Sequence, residues 1–359
     1  MTTVSAKFNP ELESLRGAAA FAVLMTHCIA VFSIDEKAAF WSLAWSDHTA
    51  TTLALHVTSA VFNAGGAVVL FFILSGYVLT LSVNRIRSLN VAAYATKRLF
   101  RLLPPMWLSI LFFAGVVSEP PTGDDGYSAW FRAVFQPTTG LDVARNFVMV
   151  AFKANPVTWT MYVEVLGSAL VLLSVLAHDR TGAWAGCVLL VVYGALLFTL
   201  YPSTTFSYLA CFQAGAMLAL NPLPRSGAVP ALACGLLIIT SERLIPITGP
   251  SSVIANTAGG ALIIYAVING AARSMLRTRP LRFIGKISYS LYLFHLPVIY
   301  LAALWVSSLD LEQTASLLLV PALAIPVSIL LAAIAYKLIE RPAIRAGRAL
   351  ASRMSGPSR

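Results

Sequence analysis

Charge is what this sequence has least of. Asp, Glu, Lys and Arg make up 11% of its 359 residues, against about 25% in soluble domains. So little charge could not cover a water-exposed surface, which excludes a soluble enzyme. The 58% hydrophobic content excludes a disordered chain. Cysteine is scarce as well. Cys28, Cys187, Cys211 and Cys234 sit inside apolar runs without C-x-x-C spacing, so neither a disulfide framework nor a zinc site is indicated. The motifs G-x-S-x-G and H-E-x-x-H and the P-loop are missing. His48, His56 and His178 follow no metal-ligand pattern, and no metal is expected. There is no internal repeat to suggest an inverted-repeat transporter, and no small-residue cleavage site follows the first apolar run.

What the chain has instead is long apolar runs, with a mean hydropathy of +0.78. A bilayer span needs roughly 20 mostly apolar residues. Ten runs qualify, near 15–33, 65–83, 102–117, 159–177, 183–200, 204–220, 228–241, 253–271, 287–306 and 315–337; the third, sixth and seventh are short or interrupted. The fold class expected is therefore all-α, a polytopic membrane helix bundle of about ten transmembrane helices, forming one domain over 1–359. With ten spans, only Lys37, Arg132, Arg145, Lys153 and Arg243 of the 25 basic residues fall outside. Excess Lys and Arg marks the cytoplasmic side, so both termini are expected in the cytoplasm, with about 338–359 as a basic tail. The net charge of +10 then reflects topology and attraction to anionic lipid, and calls for no nucleic acid. Two outer loops are long, 34–64 and 118–158. In the second, Tyr127, Trp130, Phe131 and Phe135 are spaced as on a helix lying at the interface.

Ionisable groups inside spans are costly and point to function. Arg16 and His27 are eleven residues apart, which puts both on one face of the first span, separated by ~16 Å. Arg16 fits a snorkelling anchor as well as a site. Glu164 lies ~9 Å into the fourth span, at a depth where it could meet His27 and orient the imidazole. Arg98 and Arg101, at i and i+3, share a helix face suited to phosphate, and serve equally as a positive-inside anchor. His295 sits two residues before Pro297, either in the site or bonding backbone that the proline frees.

Together these residues resemble the acyltransferase-3 family of integral membrane acyltransferases. Leu15-Arg16-Gly17 with His27 is similar to its Arg/Lys-x10-His motif. Phe71-Phe72-Ile73-Leu74-Ser75-Gly76-Tyr77 resembles its FFxxSGF segment, with Tyr for Phe. Arg98 to Pro104 resembles RxxRxxP, and Trp159-Thr160-Met161-Tyr162-Val163-Glu164 resembles W-S/T-L-x-x-E, with Met for Leu. Ser288 to Pro297 resembles SYxLYLxHxP. The five matches come in order, and a tenth span suits the family's ten-helix plan.

The resemblance implies a stand-alone member without an SGNH domain, in the bacterial cytoplasmic (inner) membrane. It implies O-acyl transfer, most often of acetyl, from a coenzyme A thioester such as acetyl-CoA to a hydroxyl of a carbohydrate, glycolipid or similar acceptor. Acyl-CoA would be a co-substrate, with no permanently bound cofactor. Membrane lipids and a carbohydrate or lipid-linked acceptor would be the partners. On this reading His27 is the catalytic base and Glu164 its partner, while Arg16, Arg98 and Arg101 hold the donor. Ser75, Trp159, Tyr289, Tyr292 and His295 are further candidates. The rival is a proton-coupled transporter or flippase in which His27 and Glu164 relay protons; it leaves the Arg pair unexplained.

Overall fold

The computed structural model describes residues 9–32, 49–83, 90–121, 126–200, 208–221, 223–245, 247 and 249–354. Lys7, His48, Lys37, Arg85, Arg87 and Arg359, and the stretch 34–48 of the first long loop, lie outside them. In chain order the helices are α1 (Pro10–Ile29), α2 (Ala50–Val61), α3 (Ala64–Val83), α4 (Val91–Val116), α5 (Ala129–Val134), α6 (Gly140–Phe147) and α7 (Trp159–Thr181). They continue as α8 (Ala183–Leu200), α9 (Leu209–Leu220), α10 (Ala228–Leu244), α11 (Pro250–Ile268), α12 (Arg273–Leu276), α13 (Arg279–Ser307), α14 (Gln313–Ala335) and α15 (Arg341–Met354). A π turn, Tyr336–Glu340, joins α14 to α15. Among the described residues the sole strand-like pairing is one bridge between Phe32 and Tyr127.

The protein is an all-α, largely membrane-embedded bundle, but the expectation of about ten spans does not hold. Six stretches among the described residues are long and apolar enough to cross a membrane. They are Ala50–Val83, Val91–Val116, Pro156–Thr181, Pro250–Ile268, Arg279–Ser307 and Gln313–Met354. The reason is length. Glu11, Glu13 and Arg16 occupy the first two turns of α1. The 12 residues of α9 reach ~18 Å, short of a ~30 Å hydrocarbon core. α10, with 17 residues, also falls short of the roughly 20 that a span needs. An apolar run in sequence does not reveal where its helix stops.

The chain divides into two compact units. The first comprises residues 1–22, 59–87 and 163–286. In it α3 is apolar around its circumference, the mark of a helix covered on every side. Gly76 of α3 lies against the backbone of Phe212, and Gly215 of α9 against the Ile73 carbonyl, so the two helix backbones touch. Small residues permit such crossings. Here Gly76, next to Ser75, does so within the FFxxSGF-like segment. At the entry of α1, Glu11 is buried and receives Arg277 Nε–H at 2.7 Å and Arg273 Nε–H at 3.2 Å. Burial, the largest influence, pushes the Glu11 carboxyl up. Its own backbone N–H and the two guanidiniums outweigh that and hold it below the usual 4.5.

The second unit comprises residues 23–58, 88–162 and 287–359. Asn90 caps α4, accepting Ala93 N–H at 2.9 Å, and donates to the Met354 carbonyl at 2.9 Å. It thereby ties the last turn of α15 to the first turn of α4. Gly347 of α15 packs on Phe100, so the basic tail expected from the sequence is largely a helix docked on α4. The aromatic stretch of the second long loop also differs from expectation. Its helix, α5, has six residues, and Tyr127, Phe131 and Phe135 are buried. Phe135 meets Phe113 at 5.9 Å and Tyr300 at 5.3 Å between ring centroids. These rings build protein core; they do not lie on lipid.

Two predictions follow from this packing. Gly76→Val should drive α3 and α9 apart, costing about 1–3 kcal/mol for overpacking, whereas Gly194→Ala, with open space at its Cβ, should leave stability unchanged or raised. Thermal unfolding of the two detergent-solubilised variants reads the contrast. Glu11→Gln should lower stability by about 1 kcal/mol at neutral pH. Because the folded-state carboxyl is held low, its contribution is complete above about pH 4.5 and is lost as pH falls through the lowered value. The two melting curves should converge in acid.

Candidate active site

Proline at position 297 has no N–H, so the Leu293 carbonyl, four residues earlier in α13, lacks its helical donor. Asn155 supplies one: its Nδ2 donates to Leu293 O and to Ser109 Oγ, both at 3.1 Å. Asn155 is itself fixed, its N–H donating to Asn146 Oδ1 at 2.9 Å. Asn146 Nδ2 donates to Thr158 Oγ1 at 2.7 Å. All these polar groups are buried, where an unmatched donor costs about 1–3 kcal/mol. His295, expected as one possibility to bond the backbone that Pro297 frees, bonds a different carbonyl, Tyr292 O, through Nδ1 at 2.7 Å.

That bond sets a chain of proton positions. A carbonyl only accepts, so His295 Nδ1 carries the proton. In the neutral ring Nε2 is then an acceptor. Nε2 of His295 lies 2.7 Å from Nδ1 of His27, which must therefore be the donor. What is left is Nε2 of His27, with a free lone pair, on a half-buried ring. The ring planes differ by 7°, with centroids 5.0 Å apart. With 2.7 Å between nitrogens, the rings meet edge to edge in one plane and are not stacked. His27 lies in the last turn of α1, where the helix dipole stabilises positive charge.

The other side of His27 is covered by Trp130 of α5, with ring centroids at 5.0 Å and planes at 21°. Ser128 aligns these two elements. Its hydroxyl donates to Ala30 O at 2.5 Å and accepts Phe131 N–H at 3.0 Å, while its own N–H donates to Val31 O at 2.9 Å. The C-terminus of α1 and the N-terminus of α5 are thus held by one side chain.

In the first unit, Ser75 Oγ donates to Glu164 Oε1 at 2.5 Å. Ser168 Oγ bonds the Glu164 carbonyl at 2.6 Å. Arg16, half-buried on α1, belongs to the same unit. In the second unit, Arg98 and Arg101 are half-buried one turn apart on α4. Tyr289 OH donates to the Leu102 carbonyl at 2.7 Å and so pins α13 beside Arg101. Tyr292 OH reaches Val157 O at 3.4 Å, on the 3₁₀ turn that leads into Trp159 at the start of α7.

The structure therefore brings His27 to His295 and Trp130, and Glu164 to Ser75. Three residues that support this arrangement carry no such signal in the sequence. Trp130 reads in the sequence only as one aromatic of the loop. Asn155 precedes the Pro156 that opens a turn. Glu340, the one carboxylate after Glu312, is buried and accepts the Ser290 hydroxyl at 2.7 Å. Among the described residues no three His, Cys, Asp or Glu side chains are grouped to hold a metal ion.

No curated protein and no solved structure matches the chain. A family model described as an acyltransferase domain matches residues 9–337. That range takes in both histidines, the Ser75–Glu164 pair and the arginines of α4, and stops short of α15. With all but the two ends of the sequence inside it, the chain belongs to the acyltransferase-3 family of polytopic membrane acyltransferases.

Proposed function

We propose that the protein transfers an acyl group, acetyl in the simplest case, from a coenzyme A thioester to a hydroxyl of a carbohydrate or lipid-linked acceptor. Its setting would be the cytoplasmic membrane of a bacterium. What carries this reading is the hydrogen-bonded chain from the Tyr292 carbonyl through His295 to His27, which leaves one imidazole nitrogen able to accept a proton. In the proposed step, His27 Nε2 takes the proton of the acceptor hydroxyl as the oxygen attacks the thioester carbonyl. The tetrahedral intermediate collapses, the C–S bond breaks, and the thiolate leaves with the proton returned by His27. Positive charge on His27 during the step is balanced through Nδ1–H and His295, and by the C-terminal end of α1. His295 acts as a positioning residue that selects the tautomer of its neighbour, much as the third member of a triad does.

The donor's phosphates are assigned to Arg98 and Arg101, whose spacing suits them, with Arg16 as a further candidate. Trp159, Tyr289 and Tyr292 would keep the surrounding turns in register. Glu164 is the second ionisable residue proposed for the reaction, with Ser75 holding its carboxylate; its role is a question for kinetics.

Thiol release from acetyl-coenzyme A by purified protein tests the whole reading. His27→Ala should abolish transfer while leaving donor binding nearly intact. His295→Ala should lower kcat by about 10²–10⁴ with little change in donor KM. His295→Gln should recover part of the loss, because its Oε1 can accept from His27 Nδ1 as Nε2 does. A purely packing role for His295 predicts instead a lower melting temperature with normal turnover. Full activity in His27→Ala would refute the mechanism.

Arg98→Ala and Arg101→Ala should each weaken donor binding about ten- to a hundredfold, as expected for losing one charge-assisted contact. Titration of acetyl-coenzyme A into the folded variants is the measurement. Unchanged affinity in both would reduce the pair to a membrane anchor.

A further inference from the structure

The family match ends at Lys337, and the helix that follows it is charged on one side with one sign. α15 continues α14 through the π turn, so that Gln313–Met354 runs as one helical stretch. The 23 residues of α14 rise ~35 Å, enough for a ~30 Å hydrocarbon core. Arg341 comes six residues after Ala335, the last residue of α14, and so ~9 Å further along. α15 therefore begins at the edge of the bilayer.

Its seat on α4 decides which side faces outward. Gly347 lies against Phe100, and Thr96 Oγ1 lies 3.5 Å from Met354 Sδ. Gly347 and Ala351, one turn apart, are buried and mark the side turned to α4. Arg345 lies ~160° round the helix from Gly347. Arg341, Arg345 and Arg348, at i, i+4 and i+7, share one stripe on the outer side. All three are exposed, as is Arg353 in the last turn. Among the described residues none of these four guanidiniums has a hydrogen-bond or ion-pair partner. No acid offsets them. The sequence holds no Asp or Glu between Asp47 and Glu119, nor any after Glu340. Glu340 itself is buried, with the Ser290 hydroxyl donating to it. The sign of this surface is thus fixed by the sequence of both helices and of the stretches that flank them. Leu338 and Leu350 are exposed on the same stretch. A helix at the bilayer edge with guanidiniums on one side and free leucines suits lipid on both counts. The leucines meet acyl chains, and the guanidiniums meet phosphate.

We propose that the outer stripe of α15, Arg341, Arg345 and Arg348, binds the phosphates of anionic lipid head groups. Complementary charge at the bilayer edge carries the proposal. It stands apart from the acyl-transfer reading, which assigns the donor's phosphates to Arg98 and Arg101 of α4, and it gives the excess basic charge of the chain a place to act.

The test uses purified full-length protein in micelles holding equal amounts of phosphatidylglycerol and phosphatidylcholine, which differ in net charge. Lipid retained on the immobilised protein after washing is extracted and quantified by mass spectrometry. The wild type should retain phosphatidylglycerol in preference, and the preference should fade as the salt in the wash is raised from about 0.1 M to about 1 M. Arg345→Gln combined with Arg348→Gln removes two charges that have no partner in the fold. Its melting temperature in phosphatidylcholine should equal that of the wild type, while the preference falls about tenfold. Arg345→Lys combined with Arg348→Lys keeps the charges and should keep most of the preference. Two further arms separate a lipid head group from free phosphate. Inorganic phosphate and coenzyme A, each added to the wash at about the millimolar level of a weak ligand, should leave the retained lipid in place. Equal retention of the two lipids by the wild type, or an undiminished preference in the Gln variant, would overturn the proposal. So would displacement of the lipid by coenzyme A together with weaker coenzyme A binding by the Gln variant, which would make the stripe part of a donor site.

Discussion

A backbone carbonyl only accepts a hydrogen bond, and that asymmetry governs the middle of α13. The Tyr292 carbonyl obliges His295 to carry its proton on Nδ1, and that proton in turn obliges His27 to donate from Nδ1. One turn of helix thus decides which nitrogen of a ring on another helix holds a lone pair. Pro297 adds the second constraint. By withholding an N–H it exposes the Leu293 carbonyl, and Asn155 answers it. The answer ties α13 to the turn before α7 and, through Ser109, to α4. Neither carbonyl could change partners without leaving a buried polar group unmatched.

Much of the second unit can be understood as holding the His27 end of α1 in place. Helices end with carbonyls that have no partner of their own. At α1, Ser128 takes up Ala30 and Val31, and the same side chain starts α5. The buried cluster of Phe131, Phe135, Phe113 and Tyr300 then gives α5 a fixed seat, so Trp130 meets His27 from a rigid element. The first unit reaches its own precision differently, by letting α3 and α9 touch at Gly76 and Gly215. Ser75, adjacent to the contact, is delivered to Glu164.

The candidate residues were legible in the sequence because ionisable groups are rare in apolar runs: His27, Glu164, Arg98, Arg101 and His295 all stand out against their surroundings. Their partners were less so. Counting residues along helices gives depth, and depth placed His27 and Glu164 at comparable levels. It carries no information about which helices are neighbours, and the bond from His27 Nδ1 to His295 spans 268 positions. Trp130 was hidden for a related reason. Aromatic spacing alone cannot separate a helix lying on lipid from a short helix sunk in core. Helix count failed where hydropathy is silent, since a window average registers how apolar a run is and not how long a helix it forms.

The π turn between α14 and α15 has a consequence for chain length. Buried positions follow one another at Ser328, Ala332, Ala335, Glu340, Gly347 and Ala351, steps of three, four, seven and, once, five. The step of five coincides with the π turn, which holds one residue more than an α-helical turn. Removing any one residue from Tyr336 to Ile339 would close it to an ordinary turn and leave the inward stripe on both sides in phase. The helix from Gln313 to Met354 therefore carries a surplus residue at the place where its single carboxylate goes inside, and this is the one stretch of it where a change in length is silent to the seam.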